Sequence, residues 1–269
     1  MPFFPQEQYQ CGPATLATTL RFSGADVTPD ALVPQVYTPG LKGSLQLDLV
    51  GAARRAGRIP YRIAPTLTAL FEELSAGNPV LVLQDLGLLT QEWHYAVAVG
   101  YDRDTEMITL QSGDLPALQM SWARFDKTWI SGKRWGIVTL TPDRIPASAT
   151  EEEYLKQVAA LDSVSSGLAG IAYQTSLTRW PDSLVALMGL GNLAYAAGRY
   201  DQAVKYFLQA STAHPNAGDA FNNLAQTYLR QGQRGLAYTV IERALALGGS
   251  HVSIYRKTRD EVEAEASQP

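Results

Sequence analysis

The first half of the 269-residue chain mixes helix-like and strand-like patterns of apolar positions. Apolar spacing predicts helices over residues 14–22 and 67–75 and another that starts at Ser44 as its N-cap and stops at Gly57. Five apolar runs predict strands, at residues 61–64, 80–84, 94–101, 106–111 and 135–140. The stretch 121–129 predicts a short helix. Helices followed by an antiparallel sheet predict an α+β domain over residues 1–142.

The second half, 151–269, has a purely helical pattern and follows a Pro- and Ala-containing segment, 143–150, that is typical of a linker. Positions 34 residues apart carry similar side chains. Leu190, Gly191, Gly198, Ala203, Phe207 and Ala210 correspond to Leu224, Ala225, Gly232, Ala237, Ile241 and Ala244. This pattern resembles the tetratricopeptide (TPR) repeat. It predicts an all-α domain with three repeats, about 150–183, 184–217 and 218–251, closed by a polar capping helix from Val252 to Ala266.

Composition excludes several classes of function. The net charge of −4 and the absence of a Lys/Arg run argue against a nucleic-acid partner. No apolar stretch reaches the roughly 18 residues of a membrane span. No cluster of Cys, His and carboxylates has ligand spacing, so neither a metal nor another cofactor is predicted.

The single cysteine, Cys11, stands directly before Gly12 and Pro13. Because proline fits the first turn of a helix, Cys11 is predicted at a helix N-terminus, where the helix dipole favours a thiolate and lowers its pKa. Gly12 is predicted to leave room for a substrate near the sulfur. The alternative is an ordinary buried cysteine that acts as a small apolar residue.

A cysteine nucleophile needs a base, and the chain offers three histidines. His214 lies in a repeat turn and His251 in the helical tail. His94 remains, because it begins the strand H-Y-A-V-A-V-G-Y in the same half as Cys11.

The motif Q-x-x-x-x-C-G-P-A-x-L, followed at a distance by H-Y-A-V-A-V-G-Y-D, resembles the papain-like bacteriocin-leader (double-glycine) cysteine peptidases over about residues 2–140. The resemblance implies that Cys11 is the nucleophile and His94 the general base. It implies that Gln6 is the oxyanion-hole amide, with Gln8 as the fallback. The combination with TPR repeats is similar to a group of bacterial exported or lipoprotein peptidases.

The third catalytic residue is left open among three candidates. Alignment of the strand ends puts Ser112 where the family has an aspartate. A hairpin with its tip at residues 103–104 instead pairs Ala96 with Gln111 and places Gln111 on the face of His94, which favours Gln111. Asp114 lies beyond the strand and could fold back.

These observations predict a cysteine peptidase that acts on a peptide or protein substrate. A weakly active or inactive peptidase-like interaction module is the alternative, and other acyl transfers such as transglutamination or deamidation stay open. The repeats are predicted to bind a protein partner through a groove lined by Asn192, Tyr195, Asn223, Gln226 and Arg230. The resemblance implies a periplasmic or lipid-anchored protein, although the opening M-P-F-F-P carries no signal peptide, and a cytoplasmic location is the alternative.

Overall fold

A computed structural model describes residues 1–6, 10–87 and 90–264. The chain forms two compact units, of which the first is Met1–Leu168 and the second begins at Ala169.

The first unit is built on a six-stranded antiparallel sheet, which confirms the predicted α+β class. The helices of this unit are α1 (Cys11–Phe22), α2 (Pro29–Val36), α3 (Gln46–Arg55), α4 (Leu67–Ser75), α5 (Trp122–Ser131) and α6 (Glu151–Asp162). A small hairpin joins β1 (Tyr37–Thr38) to β2 (Gly43–Ser44). The large sheet contains β3 (Ile59–Arg62), β4 (Val80–Asp85), β5 (Trp93–Asp102), β6 (Met107–Ser112), β7 (Leu115–Ser121) and β8 (Gly136–Leu140), in the order β3-β8-β4-β5-β6-β7.

Helix α1 packs its apolar side on the sheet. Leu16 and Leu20 are fully buried and belong to one core cluster with Leu83 and Tyr95. Burial of each such leucine contributes about 1.5–3 kcal/mol. The helix begins at Cys11, as predicted, and this packing fixes that end of α1 against β5.

Three local predictions differ from the structure. Ser44 is not an N-cap: it ends β2, and α3 follows Leu45 without a side-chain cap. Strand β7 was not predicted, because it is an edge strand whose mostly exposed residues, including Pro116, lack an apolar pattern. Helix α2 was also missed, and its internal Pro34 explains why.

The segment predicted as a linker, 143–150, lies within the first unit. The buried Glu73 carboxyl of α4 accepts hydrogen bonds from the Ser148 backbone N–H at 2.7 Å and from the Ser148 hydroxyl at 2.6 Å. Helix α6 then packs against β3. The first helix of the first predicted repeat therefore belongs to the first unit.

The second unit contains helices that pack in successive pairs, in agreement with the predicted repeats. Helix α7 (Ser166–Ser176) crosses the division, and α8 (Leu184–Ala196), α9 (Tyr200–Ala213), α10 (Gly218–Arg230), α11 (Arg234–Leu247) and α12 (Val252–Ala264) follow. Gly191 of α8 lies against Phe207 of α9: a Cβ at Gly191 would be 2.3 Å from the ring. The tested helices of the described part of the chain include none with the length and apolar character of a membrane span.

Candidate active site

The backbone of Tyr95 in β5 forms hydrogen bonds with two of the predicted catalytic residues, Cys11 and Gln6. Its N–H donates a hydrogen bond to the sulfur of Cys11, the first residue of α1. Its carbonyl oxygen accepts a hydrogen bond from Gln6 Nε2 at 3.2 Å. The buried Tyr95 ring packs edge-on against Trp135, which holds this part of β5 in the core. Gln6 and Cys11 are therefore attached to one residue of the sheet.

His94 directly precedes Tyr95 and is held from the neighbouring strand. Its Nε2 lies 2.8 Å from the hydroxyl oxygen of Ser112 at the end of β6. If Nε2 carries the proton and donates to Ser112, the lone pair of Nδ1 is free to accept a proton. This tautomer is the one that a general base facing a thiol requires.

The predicted pairing of Gln111 with Ala96 is wrong by one residue of register. The structure pairs Gln111 with Val97 instead of Ala96, and the register shifts between Ala98 and Gly100. Since side chains alternate along a strand, this shift moves Gln111 to the face opposite His94 and brings Ser112 onto the face of His94. Gln111 Oε1 is buried and has no hydrogen-bond partner among the described residues.

Among the described residues, Ser112 is the candidate for the third residue that contacts the His94 ring. Asp114 lies in the turn beyond β6 and is exposed. The contact found is the one that alignment of the strand ends had suggested. The hairpin estimate missed this contact, because a bulge that adds one residue to β5 changes which β6 residue faces His94.

The expected lowering of the Cys11 pKa is not found. Burial raises the pKa of the thiol, and this effect outweighs the opposing hydrogen bond from the Tyr95 N–H. Burial likewise lowers the pKa of His94, against the opposing influence of the Glu92 carboxylate. Both shifts favour a neutral thiol and a neutral imidazole. Proximity to a helix N-terminus did not decide the outcome, because the effect of desolvation on the pKa is larger.

Gly12 has a different role from the predicted one. A Cβ at Gly12 would lie 2.2 Å from the Ser44 Oγ, so β2 occupies the space that was assigned to a substrate. The Tyr95 hydroxyl also donates to the Ser44 carbonyl oxygen at 3.0 Å. The glycine thus permits close approach of the small hairpin to the start of α1. Sequence reasoning missed the contact between Ser44 and Tyr95, although a glycine beside a helix start is a signal of close approach.

The remaining histidines have partners elsewhere. The His214 ring contacts the carbonyl oxygen of Asp182, and His251 Nδ1 lies 2.9 Å from Asp219 Oδ1, both within the second unit. Gln8, the fallback for the oxyanion amide, lies outside the described residues. The described residues contain no group of three or more His, Cys, Asp or Glu arranged to hold a metal ion.

The five predicted groove residues lie on α8 and α10 and are linked to neighbouring helices. Asn223 Nδ2 donates to Asn192 Oδ1 at 3.0 Å, Arg230 Nε donates to the Tyr195 hydroxyl at 3.1 Å, and Gln226 Nε2 donates to the Thr258 hydroxyl at 3.1 Å. A depression of about 370 Å³ is lined by Tyr195, Gln226, Leu229, Arg230 and Glu261. One face of the repeats thus carries both polar donors and a concave surface.

Comparison with known families agrees with this architecture. Residues 1–134 match the Peptidase_C39 like family, and residues 171–217 and 188–252 match the tetratricopeptide repeat. The chain therefore carries a Peptidase_C39-like domain followed by tetratricopeptide repeats. A search of the curated proteins found no match.

Several solved structures are similar to parts of the chain. The peptidase domain of Streptococcus ComA, a bi-functional ABC transporter involved in a quorum sensing pathway, is 25% identical with a TM-score of 0.44, over 51% of this chain and 96% of that one. A protein described as a C39-like peptidase from Bacillus anthracis is 16% identical with a TM-score of 0.44, over 52% and 94%. The Yersinia enterocolitica type III secretion translocator chaperone SycD is 15% identical with a TM-score of 0.40, over 45% and 90%.

Proposed function

We propose that the first domain is a cysteine peptidase in which Cys11 is the nucleophile and His94 the general base. The observation that carries the proposal is the attachment of Cys11 and Gln6 to the backbone of Tyr95, the residue next to His94. In this proposal Ser112 replaces the family's aspartate as the residue that orients the imidazole, since its hydroxyl lies 2.8 Å from His94 Nε2.

The reaction starts from the neutral pair. As the Cys11 sulfur attacks the peptide carbonyl, His94 Nδ1 takes the thiol proton, while His94 Nε2–H continues to donate a hydrogen bond to the Ser112 hydroxyl. The carbonyl oxygen becomes an oxyanion, and the Gln6 amide N–H that is not bonded to Tyr95 stabilises it; such a donor is worth about 10²–10³ in rate. The imidazolium then protonates the leaving amine, and a water activated by His94 hydrolyses the thioester.

The test is cleavage of a defined peptide library by the full chain, followed by mass spectrometry. We expect wild type to yield pairs of fragments whose masses sum to the parent peptide plus one water, and Cys11→Ala and His94→Ala to yield none. Cleavage that persists in Cys11→Ala would contradict the proposal. Peptides that have exchanged ammonia for water, or pairs of peptides joined with release of ammonia, would indicate deamidation or transglutamination in place of hydrolysis.

A non-catalytic interaction module is the second candidate, favoured by the serine at position 112 and by the burial that raises the pKa of Cys11. Alkylation of the thiol does not separate the candidates, because both predict a slow reaction at neutral pH. Acylation by p-nitrophenyl acetate does, since general-base catalysis by a neutral imidazole operates at pH 7. A rate at pH 7 that depends on Cys11 and His94 supports the peptidase, and a rate unaffected by His94→Ala supports the module.

The concave face of the repeats is proposed to bind an extended stretch of a peptide or protein, with Asn192, Asn223, Gln226, Tyr195 and Arg230 as contacts. The support is the alignment of their side-chain amide, hydroxyl and guanidinium groups along α8 and α10. Library peptides retained by full-length Cys11→Ala should be lost when Asn223→Ala and Arg230→Ala are added. Unchanged retention would contradict this role.

An exported or lipid-anchored location is proposed from the family resemblance. Cell fractionation with an antibody against the chain tests it, and recovery with the cytoplasmic markers would contradict it.

A further inference from the structure

Gln6, among the first residues of the chain, is held at two points by residues of the sheet and the turn beyond β6. The Gln6 side chain donates to the Tyr95 carbonyl oxygen in β5, and its backbone N–H donates to the Gly113 carbonyl oxygen at 3.3 Å. Gly113 directly follows Ser112 and has a φ of +59°, which favours glycine. Residues 1–6, called the N-terminal strap below, thus contact the turn that carries the partner of His94.

An aromatic residue of this strap packs on the core. Phe4 packs against the cluster formed by α1, α3 and the sheet, and Cys11 packs against the same cluster. Phe3 is also partly buried but is not among the residues that pack against that cluster. The two neighbouring phenylalanines therefore differ in their contact with this cluster, against which Cys11 also packs.

We propose that Phe4 is a positioning residue for the reaction. By packing on the core it holds the strap so that the Gln6 carboxamide stays beside Cys11 with one N–H directed at the developing oxyanion. This inference rests on the proposed peptidase function. An oxyanion donor acts only in the transition state, and a misplacement of about 1 Å can cost about 10² in rate.

Two reactions of the same sulfur separate this role from a merely structural one. Acylation by p-nitrophenyl acetate passes through an oxyanion, whereas alkylation by iodoacetamide does not. Phe4→Ala is expected to slow acylation about 10-fold or more while alkylation stays within about two-fold. Phe3→Ala is the matched control and should leave both rates within about two-fold, and Phe4→Leu should restore most of the acylation rate.

A double-mutant cycle with Gln6→Ala tests the path of the effect. Gln6→Ala is expected to slow acylation by about 10²–10³, and Phe4→Ala should add nothing in that background, because the donor it positions is gone. Should Phe4→Ala be unfolded at the assay temperature, Phe4→Val serves in the same cycle.

The outcomes distinguish the two proposals. Equal acylation of wild type and Cys11→Ala would overturn the proposed function itself. Cys11-dependent acylation that Phe4→Ala leaves unchanged would overturn only the inference about Phe4. The same conclusion follows if Phe4→Ala slows alkylation as much as acylation, or slows acylation by the same factor with and without Gln6.

Discussion

The two units of the chain connect their polar side chains in different ways. In the first unit several of these contacts join residues far apart in sequence: Gln6 with Tyr95, Ser44 with Tyr95 and Glu73 with Ser148 are separated by 89, 51 and 75 positions. In the second unit Asn192 with Asn223, Tyr195 with Arg230 and Gln226 with Thr258 are separated by 31, 35 and 32. Contacts in the second unit therefore follow the repeat length, whereas those in the first depend on chain crossings specific to one place.

The contacts that should be hardest to replace are the hydrogen bonds accepted by the buried Glu73 carboxyl. Besides the two bonds from Ser148, it accepts one from Asn78 Nδ2 at 2.7 Å. Glu73→Ala removes all three acceptor contacts and leaves buried donors unpaired, so we expect unfolding to become easier by about 3 kcal/mol or more. The measurement is the free energy of unfolding in urea.

The neighbouring Glu72 is the matched control, because its side chain is exposed on the same helix. Glu72→Ala should stay within about 0.5 kcal/mol of wild type. Similar losses for the two variants would show that the Glu73 contacts do not hold the 143–150 segment, and the contrast between the units would weaken.

In the second unit, a contacting pair of residues should instead be replaceable by the residues at the equivalent positions of the next repeat. Gly191→Ala places a Cβ 2.3 Å from the Phe207 ring and should cost about 1–3 kcal/mol. The equivalent positions one repeat later are Ala225 and Ile241, both fully buried. We therefore expect the double variant Gly191→Ala/Phe207→Ile to regain much of the loss, as measured by thermal unfolding.

Gly235 in α11 is the control for the glycine change itself, since no atom lies near the position of its Cβ. Gly235→Ala should be neutral or stabilise by up to about 1 kcal/mol. If the double variant is less stable than Gly191→Ala alone, equivalent positions do not exchange and the repeat rule fails here.

The same difference explains what the sequence allowed to be predicted. Periodicity located the repeats, because Gly191 and Phe207 recur in register as Ala225 and Ile241. Apolar runs located the five predicted strands of the large sheet, and Pro13 located the start of α1. Each of these is a local signal, in which the residues that decide the element are the ones that form it.

The candidate site was only partly predictable for the same reason. Cys11 and His94 follow from local position, but the partner of His94 depends on a bulge between Ala98 and Gly100 that the strand pattern does not reveal. The thiol pKa also depends on the chain packed around Cys11, and burial reversed the direction expected from the helix end. Predicting these features requires the tertiary arrangement.

The choice between Ser112 and Gln111 tests that register directly. Ser112→Ala removes the hydrogen-bond partner of His94 Nε2, and we expect kcat/KM for a cleaved library peptide to fall about 10–100-fold through loss of imidazole orientation. Gln111→Leu removes a buried oxygen that has no partner in the described chain, so activity should stay within about three-fold. The reverse ranking would restore the predicted register and remove the serine from the proposed mechanism.

The smallest expected effect concerns Asn192 and Asn223, which form an exposed link between successive repeats. Because water competes for both side chains, a double-mutant cycle with Asn192→Ala and Asn223→Ala should give a coupling below about 1 kcal/mol in the free energy of unfolding. A peptide bound along α8 and α10 would use these same amides, so the substitutions should weaken its binding by a larger factor than their effect on stability implies. Peptide binding that the double variant leaves unchanged would mean that the asparagines serve repeat packing. A coupling of several kcal/mol would mean the same, and would also mean that polar contacts in this unit are as difficult to replace as those in the first.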